Sequence, residues 1–553
     1  MSAARREGRV DLAALRSRPS GPPEIVALGR PVWRGSLLDA EALARAWSER
    51  GRGVLGEVEG HHGLVVVDRA RGEVTLGRGP HGSDPIYYRV AGGTLRWGDR
   101  VASAARGLDR RLFSRNARRD VLNYRWCLGR ETLVEGVHQA RSGEAVTVAA
   151  DGSVSTRRIH DIRFRPEAGA GDLDAWADQV TEALTATLAA SLDAADRPAV
   201  LLSGGVDSSI LAALALRVRP DVLALTPTWR DHFDPELDRA RLYAEHVEID
   251  HRVVPIPDEE IPGAVRWMAR AMEQPPRTDW AFALERCLAG LVEPVDVVVH
   301  GMAADTLFGS AQVVFAREYR RKWSLVRWIP GRRTLAGALP QGAGWSRRVR
   351  RLLTRPPEDA FLRSNRTSRR SPLHEVRPDL FGDGLPGASF LEVAWDPDHP
   401  FEERAQRSGL FGPGQAQLVQ LSRAGEAHGA RFVLPFVESP ALDVALRLPP
   451  SLRRVDGRTK PVLRRISERL FDPAWARRPK LAFPMPIAAW RRGCLDPWFR
   501  RRLGPGSWAR GVFGESLDRL DPGDHESLLW TLAYLDEIRD SLRLDRDGDG
   551  IAA

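Results

Sequence analysis

The stretch Ser203-Gly-Gly-Val-Asp-Ser-Ser209 has the residue types of an anion site. Val200 to Leu202 before it form a short apolar run of strand type, and Ile210, Leu211 and Leu214 after it recur at helical spacing. Glycine takes backbone angles closed to other residues, so Gly204 and Gly205 permit a tight turn. Strand, glycine turn and helix start bring free backbone N–H groups and the positive end of a helix to one point, which makes a phosphate site. Asp207 stands where anions collect. A bare carboxylate beside phosphates is repulsive, and a Mg²⁺ bridging carboxylate and phosphate oxygens resolves the conflict. A capped helix after a Gly-Gly turn would explain the glycines and one serine, but not Asp207 with two serines behind it. The second signal is the choice of cation. Of 82 lysines and arginines only Lys322, Lys460 and Lys480 are lysine. Where arginine is the default, a retained lysine marks a position that needs a compact ammonium and not a planar fork; Lys322 reads as chance survival.

The elements that must position these residues follow from pattern. A helix over 173–195 leads into the glycine turn. Beyond it strand-like runs at 222–226, 251–255 and 295–300 alternate with helical stretches at 236–246, 262–272 and 280–291. That alternation predicts a parallel sheet with crossover helices. Ligands in such sheets bind beyond the carboxyl ends of the strands, so the turn after Leu202, the segment after Thr226 and the loop after His300 surround one cleft. Residues 1–165 read as mostly β, with short apolar runs at 53–55, 63–68, 73–77, 85–89 and 94–97 separated by glycine and aspartate turns. Residues 151–172 read as a last hairpin edge and a linker.

Bulk properties exclude several classes. A chain of 553 residues needs two or three cores. There is no run of membrane-spanning length and no apolar signal core at the start, and Cys127, Cys287 and Cys494 have no paired spacing. The expectation is a reduced cytoplasmic protein with neither a membrane span nor a cysteine zinc site. A net charge of +9 and a pI near 10.0 invite a nucleic-acid reading. The arginines, however, are dispersed among acids, and nucleic acid is not favoured. Asp545 to Gly550 opens like a calcium loop without its closing glutamate and reads as a flexible tail over 546–553. His246 and His251 read as non-metal.

Ser203 to Ser209 resembles the pyrophosphate loop of ATP pyrophosphatases, which split ATP between its α and β phosphates to adenylate a substrate. Gly-His-His-Gly-Leu-Val-Val-Val-Asp-Arg and His-Gly-Ser-Asp-Pro-Ile-Tyr-Tyr, within 50–105, resemble the glutamine-hydrolysing domain of asparagine synthetases. Gly301-Met-Ala-Ala-Asp-Thr-Leu-Phe-Gly309 resembles the second ATP-site motif of that family. The segments Glu426 to Pro440, Pro449 to Arg464 and Arg477 to Pro486 resemble its later blocks, and the last two place Lys460 and Lys480 on the family's two lysine positions.

The resemblance implies an α/β chain in two parts. Residues 1–165 form a β-rich sandwich of the Ntn-hydrolase type, a degenerate class II glutamine amidotransferase. Residues 173–545 form a parallel-sheet ATP-pyrophosphatase domain with a basic helical insertion over about 311–400. It implies ATP and Mg²⁺ as cofactors. The ATP and pyrophosphate contacts fall to Leu202, Ser203, Gly204, Gly205, Val206, Asp207, Ser208, Thr226 and Gly301, and the metal to Asp207 and Asp305. Lys480, Asp305 and Lys460 carry the catalytic roles, Lys480 holding the intermediate through its ammonium. Asp305 alone would read as a helix N-cap.

Two departures redirect the function. Ser2 stands where the family has its nucleophilic cysteine, and the glutamine-holding segments are not visible, so the nitrogen is not expected to come from glutamine. Met302 replaces an acid of asparagine synthetases or a tyrosine of β-lactam synthetases, and Thr306 replaces a glutamate. Met302, Glu273, Asp279 and Glu426 are substrate-cleft candidates, with caps as the plain reading of Glu273 and Asp279. The basic, tryptophan-bearing insertion reads as a solvated helical segment cluster by cluster, and as part of a peptide or partner surface as a whole. The branch these features suit is the lasso peptide cyclase. Such an enzyme adenylates an Asp or Glu side chain of a precursor core peptide, and the peptide's N-terminal amine closes the macrolactam. A leader-binding protein and a leader peptidase are the expected partners. β-Lactam synthetase is the next reading, and a tRNA-thiolating pyrophosphatase a more distant one.

Overall fold

A computed structural model describes residues 6–15, 22–33, 36–167, 171–278, 280–309, 311–340, 344–364, 366–367, 371–455, 458–478 and 485–544. The amino-terminal part is two antiparallel sheets face to face. One has the strand order Val154–Arg158, Glu144–Ala149, Glu73–Arg78, His62–Asp68, Glu24–Gly29; the other Glu7–Asp11, Thr94–Gly98, Tyr87–Ala91, His138–Gln139. Every residue of His62–Asp68 is buried because both faces of its sheet are covered. Val65 and Val67, opposite Leu76 and Val74, face the second sheet with Leu95 and Trp97. Leu64 and Val66 face Leu43 and Trp47 of the helix Ala40–Arg50. This explains a near-continuous apolar run where a one-sided strand would alternate.

The run at 53–55 is not the expected strand. It lies in a 3₁₀ segment, Gly51–Glu57, because Gly51 at φ 65° reverses the chain after the helix and folds Val54 and Leu55 back onto Trp47.

The carboxyl-terminal part is built on a five-stranded, wholly parallel sheet. Its order is His251–Ile256, Leu223–Trp229, Pro198–Leu201, Val297–Val299, Arg431–Val433. The chain winds outward from Pro198–Leu201 in one direction, then returns to that strand's other side with Val297–Val299. A crevice opens where the winding reverses, at the carboxyl ends of these two strands. Helices predicted from periodicity occur as Leu173–Leu192, Leu237–Val247, Ile261–Met272 and Ala281–Ala289, within a few residues of their expected ends.

Between 311 and 400 the described elements are all helical, from Ala311–Val326 to Ala388–Ala394. The last helix, Glu526–Leu542, buries thirteen of its residues, including Asp536 and Glu537, which are paired with Arg502. Its Trp530 and Tyr534 share one cluster with Val101, Phe113 and Trp126 of the amino-terminal part and with Met268 and Phe282.

Candidate active site

The glycine turn is shaped by its neighbours. Gly204 adopts φ 68°, and a Cβ there would lie 2.5 Å from Arg239 Cβ and 2.8 Å from the Ala240 nitrogen. Only glycine lets the turn lie against the start of helix Leu237–Val247. The Ser208 hydroxyl staples the turn from within, accepting from the Ser203 N–H at 3.1 Å and donating to the Gly205 carbonyl at 3.2 Å. Helix Val206–Val218 starts beyond it, and its first-turn N–H groups point out of the helix end. Next door, the Thr226 hydroxyl donates to the Leu202 carbonyl at 2.5 Å and lies 2.8 Å from His251 Nε2. That oxygen has already given its proton, so His251 carries its own on Nε2 and donates.

These groups line a cavity of about 440 Å³, the size of a nucleotide pocket. Leu202 to Ser208, Thr226, Gly301 and Lys460 all border it, so the sheet brings together what lies far apart in sequence. Sequence reasoning missed other wall residues, among them Arg239, Arg464, Arg478, Tyr243, Trp475 and Trp280, and the buried acids Asp234 and Glu236. Arg478 lies over the Trp475 ring, 5.5 Å from its centroid, and Tyr243 packs edge-on against the same ring. Arg464 donates to the Thr459 carbonyl at 3.0 Å and also to that of Ala476, binding the segment before Lys460 to the one carrying Trp475. A cationic wall with aromatic faces suits a phosphate-bearing, ring-bearing ligand.

At the mouth, the Lys460 ammonium lies 2.5 Å from Asp207 Oδ2 and 2.8 Å from Asp305 Oδ1. Burial draws this ammonium down, but the two carboxylates outweigh it and hold its pKa above the ordinary value. Lys460 sits at φ 57° directly before Pro461, a left-handed conformation that costs an ordinary side chain energy and is unusual before proline. Ala303, two residues before Asp305, is also left-handed at φ 69°. Gly309 closes that loop at φ 141°, where a Cβ would run into the Arg453 carbonyl and crowd the Lys460 nitrogen. Its place at the end of Gly301–Gly309 was the available signal. Asp207 Oδ1 is buried without a hydrogen-bond partner. Two carboxylates converging on one cation, one of them with a free oxygen, are a donor set that fits a hard divalent ion.

His300, at the end of its strand, stacks on Trp280 with centroids 5.6 Å apart and planes 14° apart. Burial pulls its imidazole down to about 4. Unfolded histidine titrates near 6.5, so the unfolded chain takes up a proton between about pH 6.5 and 4 that the folded chain refuses. The stability this represents is present above pH 6.5 and lost as pH falls through that window, by at most roughly 3 kcal/mol, because His300 is only partly buried and borders the cavity. Urea denaturation across the window is therefore expected to show wild type losing about that much relative to His300→Gln; parallel pH profiles would mean the ring is hydrated.

Three expected cleft residues lie elsewhere. Glu273 is buried and turned toward the amino-terminal part, where it accepts from the Val101 and Ala102 N–H groups at 2.5 and 3.1 Å and caps the helix Val101–Ala104. Burial raises its carboxyl to about 7 despite those bonds. Glu273→Ala would orphan two buried amides, so thermal denaturation should report a loss of about 2 kcal/mol with nucleotide binding unchanged. Glu426 belongs to the same contact, 3.0 Å from Arg423, 3.1 Å from Arg6 and 3.2 Å from Arg100. Met302 faces away from the nucleotide cavity into a small void of about 20 Å³ shared with Pro80, His81 and Ile162. Lys480, Asp279, Ser2 and the tail from 545 onward lie outside the described residues.

A glutamine amidotransferase domain model matches residues 31–159 and an asparagine synthase model matches residues 179–539. The chain belongs to the asparagine synthase family and is an ATP-dependent carbon–nitrogen ligase of it. It is similar to a Mycobacterium tuberculosis protein provisionally named a glutamine-hydrolysing asparagine synthetase, 28% identical over 529 residues, covering 89% of this chain and 78% of that one. It is also similar to a glutamine-hydrolysing asparagine synthetase of Bacillus subtilis, 20% identical over 516 residues and covering 89% and 79% of the two chains. A third relative is the carboxyethyl-arginine β-lactam synthase of Streptomyces clavuligerus, 26% identical over 372 residues, covering 62% of this chain and 68% of the other.

Proposed function

We propose that this ligase closes a macrolactam in a ribosomally made peptide. An Asp or Glu side-chain carboxylate of the peptide attacks the α-phosphorus of ATP, pyrophosphate leaves, and an acyl-adenylate forms. The peptide's own N-terminal amine then attacks the acyl carbon, losing a proton as AMP departs. The observation that carries the activation step is the Lys460 ammonium poised between Asp207 and Asp305 at the mouth of a nucleotide-sized cavity. Asp207 and Asp305 are the residues that would hold Mg²⁺, which when bound neutralises charge on the departing pyrophosphate. The first-turn amides after Gly205 and the cationic wall hold phosphate oxygens, and Lys480 is assigned to the developing charge at the reacting carbonyl. Closure needs little base help, since holding amine and acyl-adenylate in one molecule supplies effective molarities on the order of 10⁵ M or more.

A peptide substrate is favoured by what stands beside Asp305. Thr306 replaces a glutamate of the parent family, and Asp305 itself is half-exposed where the chain runs into the helices of 311–400. Ser2 supports a nitrogen source other than glutamine. The β-lactam synthase relative favours a second reading, an intramolecular amide closure on a small molecule.

The test is pyrophosphate release from ATP with synthetic peptides. Release that needs both a free N-terminus and an internal acid, with loss of one water from the peptide by mass spectrometry, supports the proposal. Asparagine formation from aspartate and glutamine, or release stimulated by a small amino acid or by tRNA, overturns it.

A further inference from the structure

Between Glu318 and Glu358 the chain has eleven arginines and lysines and not one aspartate or glutamate. The structure folds this stretch into three helices, Ala311–Val326, Arg332–Ala338 and Gly344–Thr354, held by their own contacts. Arg350 donates to the carbonyls of Ala336 and Leu339, Ser346 to that of Pro340, and the Tyr319 hydroxyl to that of Arg351. Of residues 320–340 only Ala336 is buried, so nearly all of this part of the stretch meets solvent. None of the cavities described above is lined by it.

Its apolar side chains nonetheless face solvent. Six of the eleven large hydrophobics exposed among the described residues fall here: Leu325, Trp328, Ile329, Leu335, Trp345 and Val349. Trp328, 74% exposed, and Ile329 sit at the turn between the first two helices, with Arg327 over the Trp328 ring. On Gly344–Thr354, Ser346 and Leu353 turn inward, while Trp345 and Val349 form an outward stripe one turn apart beside exposed Arg347 and Arg348.

We propose that this protrusion is a peripheral docking surface for an anionic lipid bilayer. Exposed tryptophan and aliphatic side chains among arginines, in a stretch that itself has no acid although Arg320 pairs with Glu402 from outside it, match a headgroup interface. The rings and aliphatic groups enter the acyl boundary, and the guanidinium groups snorkel to phosphates. A nucleic acid would use the arginines and the two tryptophans but gains nothing from Leu325, Ile329, Leu335 and Val349. An acidic peptide would need a concave seat. The surface lies apart from the nucleotide cavity and does not depend on which amide the ligase forms.

The experiment is flotation of the whole protein with vesicles of phosphatidylcholine alone or mixed with phosphatidylglycerol, alongside pyrophosphate release from ATP in solution. Binding is expected only to the mixed vesicles, with a blue shift of tryptophan emission. It should weaken about fivefold for each of Arg347→Gln and Arg348→Gln, and disappear at about 1 M salt, where the screening length is about 3 Å. Trp328→Ser with Ile329→Ser should abolish flotation without changing catalysis, since both side chains are exposed and touch no part of the site. Absence from anionic vesicles, flotation undiminished by the double change, or capture of an acidic peptide in place of vesicles would each overturn the proposal.

Discussion

Lys460→Met is expected to reduce pyrophosphate release by about 10²- to 10³-fold or more, the loss that follows removal of a preorganised charge donor. The geometry gives the reason. One buried ammonium neutralises two carboxylates at 2.5 and 2.8 Å, Asp207 largely buried and Asp305 half-exposed. With it gone, Asp207 and Asp305 face each other uncompensated, and like charges held this close repel strongly. Lys460→Arg should not restore activity, because a planar fork cannot stand on the one point where both carboxylates converge. A readout independent of turnover follows. The ATP-free variant should bind Mn²⁺ more tightly than wild type, since no ammonium competes for the same oxygens. Wild-type turnover in Lys460→Met, or identical Mn²⁺ titrations, would remove Lys460 from the chemistry.

Gly204→Ala is expected to lower kcat/KM for ATP by about 100-fold or more while the protein remains folded. A left-handed alanine costs roughly 1 kcal/mol. The larger effect is steric, because the added carbon would meet Arg239 Cβ at 2.5 Å and a backbone nitrogen at 2.8 Å. Neither can yield without shifting the helix Leu237–Val247, so the turn itself moves. The amides after Gly205 then no longer converge, and phosphate positioning is lost over distances where about 1 Å matters. Isothermal titration with a non-hydrolysable ATP analogue checks this directly; unchanged affinity would show that the turn adapts.

Much of the architecture is legible in the residues. The central strands of the parallel sheet, Pro198–Leu201 and Val297–Val299, are buried throughout, so they read as apolar runs, and the glycine turn has few other conformations open to it. Position 53–55 misleads because three residues carry no period, and a reversal at Gly51 decides their fate. The phosphate-facing residues follow from one local motif. Arg239, Arg464, Arg478 and Trp475 do not, since each comes from a segment whose approach to the cavity depends on tertiary packing. Acids raise the opposite problem: Glu273 and Glu426 look like cleft residues in sequence, but their partners Val101, Ala102, Arg100 and Arg6 belong to the other half of the chain. The scarcity of lysine singles out Lys460. Nothing local foretells its left-handed backbone or its place between two aspartates.

The cluster that joins Phe113 and Trp126 to Trp530 and Tyr534 has a consequence for how the molecule ages and is edited. Head and tail of the polypeptide are sewn into one seam, so the front sandwich is needed for packing irrespective of any chemistry of its own. Trimming residues 1–165 would strip the cover from a field of aromatic side chains and yield a sticky, insoluble remnant. Calorimetry of the intact chain should show both halves melting together in a single endotherm.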